Sequence, residues 1–336
     1  MRAPAACTGS TGRIITVSVS SEPLSPYRRV TVVGSGVIGT SWAGLFLARG
    51  LEVTVNDPVP DAEERVRVGL EEILPTLEGL GLPTAGLTDR LRFEAELAAA
   101  VADADVVQEN GPERLDLKQQ IWTTIEQSAP DHCLLATSTS GIPATDIAQA
   151  MRHPERLVVG HPFNPPHLLP LVEVVPGERT SAETVQRARD FYTAMGKKPQ
   201  VLRKEVPGFV ANRLQAALFR ECVHLVVEGV VTESELDEIV TSSIGLRWAV
   251  GGPFRTFHLG GGSGGLPQFL QHLGPALEGL WQRLGSASLD ARTVELLVRQ
   301  AQEAFGDRSV DALAAERDRA QIAVLKALGE SPTAGA

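Results

Sequence analysis

The stretch Arg29-Val30-Thr31-Val32-Val33-Gly34-Ser35-Gly36-Val37-Ile38-Gly39 decides the fold. Its β-branched run predicts a strand, and the glycines that follow predict a tight turn. Apolar residues at 37, 38, 42, 45, 46 and 47 then recur at helical spacing, up to a stop at Gly50. Residues 51–56 read as a second strand, and Asp57 stands at its end, 18 residues after Gly39. Strand, glycine turn, helix, strand and acidic residue in that order make the dinucleotide-binding fingerprint. Gly34 permits the turn, Gly36 lets the backbone approach a pyrophosphate, and Gly39 lets the helix pack on the sheet. The helix start, with Val37 and Ile38, faces that pyrophosphate. Asp57 is placed to accept hydrogen bonds from the adenosine ribose and to repel a 2′-phosphate. Pro58-Val59-Pro60 offers no arginine to offset it, so NAD is the expected cofactor.

Further strands and helices alternate from here, which implies a doubly wound α/β sheet of the Rossmann type. Asp61 with Glu64 predicts a capping box for a helix from about residue 62, and Pro75 predicts a break near Leu74. Residues 97–102 predict a short helix, 104–109 a strand, and Glu113 and Lys118 stand at the start of a helix that runs to about Gln127. Residues 133–136 predict a strand ending in Thr137-Ser138-Thr139-Ser140-Gly141. Hydroxyls at the carboxyl end of a parallel strand either face the ligand crevice or serve the turn itself.

The second informative stretch is Gly160-His161-Pro162-Phe163-Asn164-Pro165-Pro166-His167, with Leu171-Val172-Glu173-Val174-Val175-Pro176 after it. Two consecutive prolines exclude a helix there, and the apolar run 168–175 reads as a buried strand. Glu173 lies inside that strand, where an unpaired carboxylate is costly. His161, twelve residues earlier, is the candidate partner. A carboxylate behind an imidazole fixes its tautomer and stabilises its protonated form, which makes a general base. The alternative is a structural pair beneath a proline-rich turn.

Length and composition bound the rest. A chain of 336 residues suggests two domains, and 43% hydrophobic residues can fill a sizeable core. Net charge is -10 without a basic cluster, so nucleic acid and anionic membranes are not expected partners. No apolar run approaches the roughly 18 residues of a membrane span. Cys7, Cys133 and Cys222 show neither metal nor disulfide spacing, which fits a reducing cytoplasm; no metal site is expected. Residues 1–27, rich in Ser, Thr, Pro and Ala, are expected to be a disordered extension. The sheet domain is assigned to 28–203 and an all-helical domain to 204–336.

That second domain opens at Pro207-Gly208-Phe209 with a helix over 210–228 that carries Asn212 in its first turn. Thr232 with Glu235 predicts a capping box. No strand signal follows, and the last helix is expected over 312–328.

Together these residues resemble the 3-hydroxyacyl-CoA dehydrogenase superfamily, and within it the branch of λ-crystallin, L-gulonate 3-dehydrogenase and carnitine 3-dehydrogenase. The motifs that carry the likeness are Gly34 to Gly39 with Trp42, His161-Pro162-Phe163-Asn164-Pro165-Pro166, Pro170-Leu171-Val172-Glu173, Gly208-Phe209-Val210-Ala211-Asn212-Arg213 and Gly245-Leu246-Arg247-Trp248-Ala249. The resemblance implies a C-terminal domain of the 6-phosphogluconate dehydrogenase type and a homodimer formed through it. It implies His161 as catalytic base, Glu173 as its orienting carboxylate, and Ser140 and Asn212 as donors to the reacting oxygen. Glu113, Lys118 and Asn164 match positions around the nicotinamide and its ribose. The expected reaction is hydride transfer between NAD(H) and the 3-hydroxy or 3-oxo carbon of a carboxylic acid or its derivative. A polyketide ketoreductase, a short-chain 3-hydroxyacyl-CoA dehydrogenase and a non-catalytic crystallin-like protein are the alternatives. Two features depart from the CoA enzymes. Residues 61–90 contain no lysine to meet CoA phosphates, and Gly260-Gly261-Gly262-Ser263-Gly264-Gly265 is a glycine-rich run expected near the cleft. Arg247 is expected to grip a substrate carboxylate, or else to satisfy carbonyls at the end of the preceding helix or to cross the dimer interface.

Overall fold

The computed structural model describes residues 27–329; the expected N-terminal extension lies outside them except for Tyr27. That residue is buried and stands edge-on to Phe191, with ring centroids 5.2 Å apart, so the folded region begins one residue earlier than expected.

The sheet region runs β1 (Arg29–Val33), α1 (Val37–Ala48), β2 (Glu52–Asn56), α2 (Ala62–Gly79), β3 (Leu91–Phe93), α3 (Leu97–Val101) and β4 (Val106–Glu109). It continues through α4 (Leu115–Ser128), β5 (Leu134–Thr137), α5 (Ala144–Ile147), β6 (Leu157–Pro162), β7 (Leu171–Pro176), α6 (Ala182–Ala194) and β8 (Lys198–Val201). The strands form one sheet in the order β3-β2-β1-β4-β5-β6-β7-β8. Every pairing is parallel except β6 with β7. Buried valines and leucines on both faces explain the near-continuous apolar runs that the strands show in sequence.

The helical region comprises α7 (Ala211–Val227), α8 (Glu233–Ser242), α9 (Ile244–Val250), α10 (Pro253–Gly260), α11 (Gly265–Trp281), α12 (Ala291–Phe305) and α13 (Val310–Ala327). Among the described residues it contains no strand. The last helix, α13, returns to the sheet region. Asp318 accepts a hydrogen bond from Thr76 at 3.0 Å, and Leu325 joins the core cluster that contains Leu77 and Leu80.

Four local expectations change. α2 runs through Pro75 without a break, since the helix is anchored by buried Leu70 and Leu77 on either side. Asp61 makes no capping bond; it adopts a non-extended conformation and pairs with Arg65 at 3.6 Å. β3 gave no signal, because three residues are too few to show a period. The glycine run joins α10 to α11: a Cβ on Gly261 would lie 1.8 Å from the Gly265 carbonyl oxygen, so close backbone approach explains the glycines. The predicted capping box at Thr232 and Glu235 is present.

Candidate active site

The antiparallel register of β6 and β7 places His161 directly opposite Glu173, on the same face. Their twelve-residue separation is thus the hairpin's own geometry. His161 Nδ1 lies 2.9 Å from Glu173 Oε2, and both side chains are buried. The other carboxylate oxygen, Oε1, accepts from the backbone N–H groups of Val210 and Ala211, each at 3.0 Å. One carboxylate therefore holds the imidazole and the first turn of α7 together. Burial pushes the Glu173 carboxyl up, but the bonds from His161, Ala211 and Val210 outweigh it and hold the group below its ordinary value. An anionic Glu173 selects the tautomer with the proton on Nδ1, leaving Nε2 as a base. Phe163 and Phe209 flank the imidazole, with centroids 5.1 and 5.4 Å from its own.

A cleft of about 560 Å³ opens beside this pair. It brings together His161, Ser140, Asn212, Glu113, Asn164 and Ile38 from five separate segments. Ser140 is exposed in the turn after β5, and Asn212 is half-buried in the first turn of α7. Glu113 organises the serine turn. Its Oε1 accepts from the Thr139 hydroxyl at 2.6 Å and from the amides of Ser140 and Gly141, each at 3.0 Å. Burial raises its carboxyl, and the Thr139 bond, the Lys118 charge and the two amides bring it net below its ordinary value.

Lys118 takes a different place from the one expected. It is 1% exposed, beneath the cleft floor, with Nζ 2.8 Å from Glu109 Oε1 and 3.2 Å from the Gly111 carbonyl. It supports the loop carrying Gly111 and does not line the cleft. Glu109, itself buried, supplies the countercharge that a buried ammonium requires. Arg247 stands apart from the cleft within this chain. It lies exposed on α9 and is not among the residues lining the cleft, which include no arginine or lysine.

Asn110, Phe163 and Gln215 line the cleft without having been singled out in the sequence. Gln215 follows Asn212 by three residues on one helix face, a spacing that would have indicated it. Beneath the cleft, Tyr192 donates to Gln108 at 2.7 Å, Gln108 and Trp42 donate to Ser138, and Ser138 donates to Asn110 at 2.7 Å.

A second cavity, about 750 Å³, lies along α1 and α2. Gly36, Val37 and Asp57 line it where the fingerprint predicts a dinucleotide. Gly34 has φ +94°, a conformation that disfavours any other residue, and a Cβ on Gly39 would lie 1.9 Å from the Gly34 carbonyl oxygen. The N-terminus of α1 has no side-chain cap, so its first amides remain for a phosphate. Asp57 accepts from Ser35 N at 2.8 Å, Ser35 Oγ at 2.7 Å and Val59 N at 3.0 Å. Burial works against its charge, yet these bonds and Arg65 lower it overall, so it stays an acceptor. These residues fit NAD. Arg65, the cation nearest Asp57 on this wall, is already paired with Asp61.

Residues 29–206 match the family described as 3-hydroxyacyl-CoA dehydrogenase, NAD binding domain, and residues 208–295 match its C-terminal domain. The L-carnitine dehydrogenase of Streptomyces coelicolor is 50% identical over 302 residues, covering 90% of this chain and 95% of that protein. The L-carnitine dehydrogenase of Pseudomonas putida is 42% identical over 308 residues, covering 92% and 96%. A solved structure of 5-formyl-3-hydroxy-2-methylpyridine 4-carboxylic acid 5-dehydrogenase, an NAD+-dependent dismutase, aligns with a TM-score of 0.77 at 35% identity, covering 90% of this chain and 98% of that one.

Proposed function

The chain belongs to the 3-hydroxyacyl-CoA dehydrogenase family, and from that membership we propose that its substrate is a small free 3-hydroxy acid of the carnitine kind. It is an NAD-dependent oxidoreductase acting on a 3-hydroxy carbon. Bound NAD supplies the hydride acceptor. His161 Nε2 takes the hydroxyl proton, and Glu173 stabilises the resulting imidazolium through Nδ1–H. Ser140 Oγ and the Asn212 amide donate to the oxygen, where charge changes most. In the reducing direction His161 returns the proton, which is the ketoreductase mode of the same site. The observation that carries this reading is the double role of Glu173. It ties the base to the helix start that presents Asn212, so both groups meet the substrate oxygen in fixed relation.

The lining supports a small substrate. Glu113 is the one charged carboxylate in the cleft, and Asn164, Asn212 and Gln215 are neutral donors for a carboxylate. Phe163 adds an aromatic ring to the lining, a group able to attract a quaternary ammonium. Residues 61–90, which include Asp61, Glu64 and Glu72, contain no lysine to meet the phosphates of CoA. Apolar side chains exposed on α7 to α12 support a homodimer formed through the helical region.

NADH formation followed by absorbance tests the reading with L-carnitine, 3-hydroxybutyrate and 3-hydroxybutyryl-CoA. L-carnitine should show the highest kcat/KM. Better turnover of the CoA thioester would overturn the free-acid assignment.

A further inference from the structure

Lys197 is buried, and its three N–H donors find no carboxylate. Its Nζ donates to the carbonyls of Pro166 and Leu169 and stands 5.6 Å from the Trp42 ring centroid. Those carbonyls belong to the turn after His161. Leu168 N and Leu169 N both bond Pro165 O, so the turn's own amides leave Pro166 O and Leu169 O unserved. Prolines at 165 and 166 bring no amide of their own.

The base from which Lys197 reaches them is rigid. α6 ends with Gly196 at φ +75°, where Gly196 N bonds Thr193 O and Lys197 N bonds Tyr192 O. That is the paired closure of a Schellman motif. The turn it holds spans both cavities: Asn164 lines the cleft, while Pro165 and His167 line the outer cavity with Gly36 and Asp57. Ser41 on α1 grips the same turn, accepting from His167 N at 2.9 Å and meeting His167 Nδ1 at 2.8 Å.

We propose that Lys197 is a positioning residue that pins the Asn164–His167 turn against the cofactor cavity, so that cofactor affinity depends on it more than turnover does. An ammonium buried without a carboxylate costs stability. A side chain kept only for packing would do better as methionine. Burial, reinforced by Arg49, lowers the Lys197 ammonium to about 7, which agrees with that cost. The proposal rests on the reading of the outer cavity as the NAD site.

Lys197→Met tests it. NADH affinity by fluorescence titration and steady-state KM for NAD should both weaken, on the order of ten- to a hundredfold for a displaced cofactor contact. kcat at saturating NAD should stay within a few-fold, and the variant should still fold, with a melting temperature lowered at most modestly because the Pro166 and Leu169 carbonyls lose their donor. Lys197→Gln, which keeps donors for one carbonyl, should fall between. Unchanged KM with a lowered melting temperature would make Lys197 structural and overturn the proposal, as would failure of both variants to fold. If the unsubstituted protein itself does not bind NADH, the site assignment fails instead.

Discussion

The sheet region covers most of its apolar residues, whereas the helical region leaves many of its own bare. Val32, Val106, Val158 and Val172 are fully buried at the centre of the sheet. Phe254 on α10 is 78% exposed and Trp281 at the end of α11 is 61% exposed. A parallel sheet flanked by helices closes its own core. Seven helices around few buried side chains do not, and the surface they leave is the one the proposed homodimer would cover. The proposed catalytic and substrate-binding groups straddle this divide. His161, Glu173 and Ser140 stand on the self-sufficient side, while Asn212 and Gln215 stand on the first helix of the dependent one.

The largest effect should come from the base. His161→Ala should lower kcat about 10²- to 10⁴-fold while NADH still binds, because Gly36 and Asp57 lie in the other cavity. Near-normal turnover by stopped-flow assay would remove His161 from the mechanism.

Glu173→Gln strikes the tie between the two regions. It weakens charge-assisted bonds to His161 and to the α7 amides, each worth about 1.5–3 kcal/mol. Turnover should fall roughly ten- to a hundredfold. The carboxyl is lowered in the folded chain, so its stabilisation is complete above the ordinary value of 4.5 and is lost as pH falls below it. Denaturant titrations should therefore show the gap between unsubstituted and variant protein closing below that pH. A gap independent of pH would mean that Glu173 is not the anionic link.

That tie was only half legible in sequence. A carboxylate in an apolar strand demanded a partner, and the histidine twelve residues before it was visible. The Val210 and Ala211 amides were not, since backbone donors carry no residue signature and lie 37 and 38 residues away. Gly34 to Asp57 read correctly because a tight turn, a helix and a strand are local. The pairing of Lys118 with Glu109 beneath the cleft was not legible, because nothing local to either residue announces it. Lys197 gave no signal at all, because the carbonyls it serves belong to a turn about 30 residues earlier.

The helical side can be tested through assembly. Light scattering at micromolar concentration should give twice the chain mass, and the unfolding midpoint should rise with protein concentration. A monomer with a concentration-independent midpoint would break the contrast between the two regions.

A smaller, pH-dependent difference should separate Lys197→Met from the unsubstituted protein. The folded ammonium titrates near 7 and the unfolded one near 10.5. The unfolded chain then binds more protons between those values, so the stability of the unsubstituted protein should climb relative to the variant as pH rises through that window. Arg49 repels the ammonium and should accentuate the effect, while His167, lowered to about 4, is already neutral there. A constant difference across the window would place the charge elsewhere.

The smallest effect concerns Arg247. Its guanidinium lies on the surface of α9, while the cleft offers a carboxylate neutral donors such as the amides of Asn164, Asn212 and Gln215. Within one chain, then, Arg247→Lys should leave the KM for a 3-hydroxy acid unchanged. Gln215→Ala should raise it about five- to tenfold, the worth of one hydrogen bond. The two substitutions also sharpen the contrast between the regions. If Arg247→Lys instead raises KM while Gln215→Ala does not, the carboxylate is held by a guanidinium that only a second copy could bring to the cleft. The helical region would then complete the active site across the dimer, and dilution below the dimer's dissociation constant should abolish activity along with the mass.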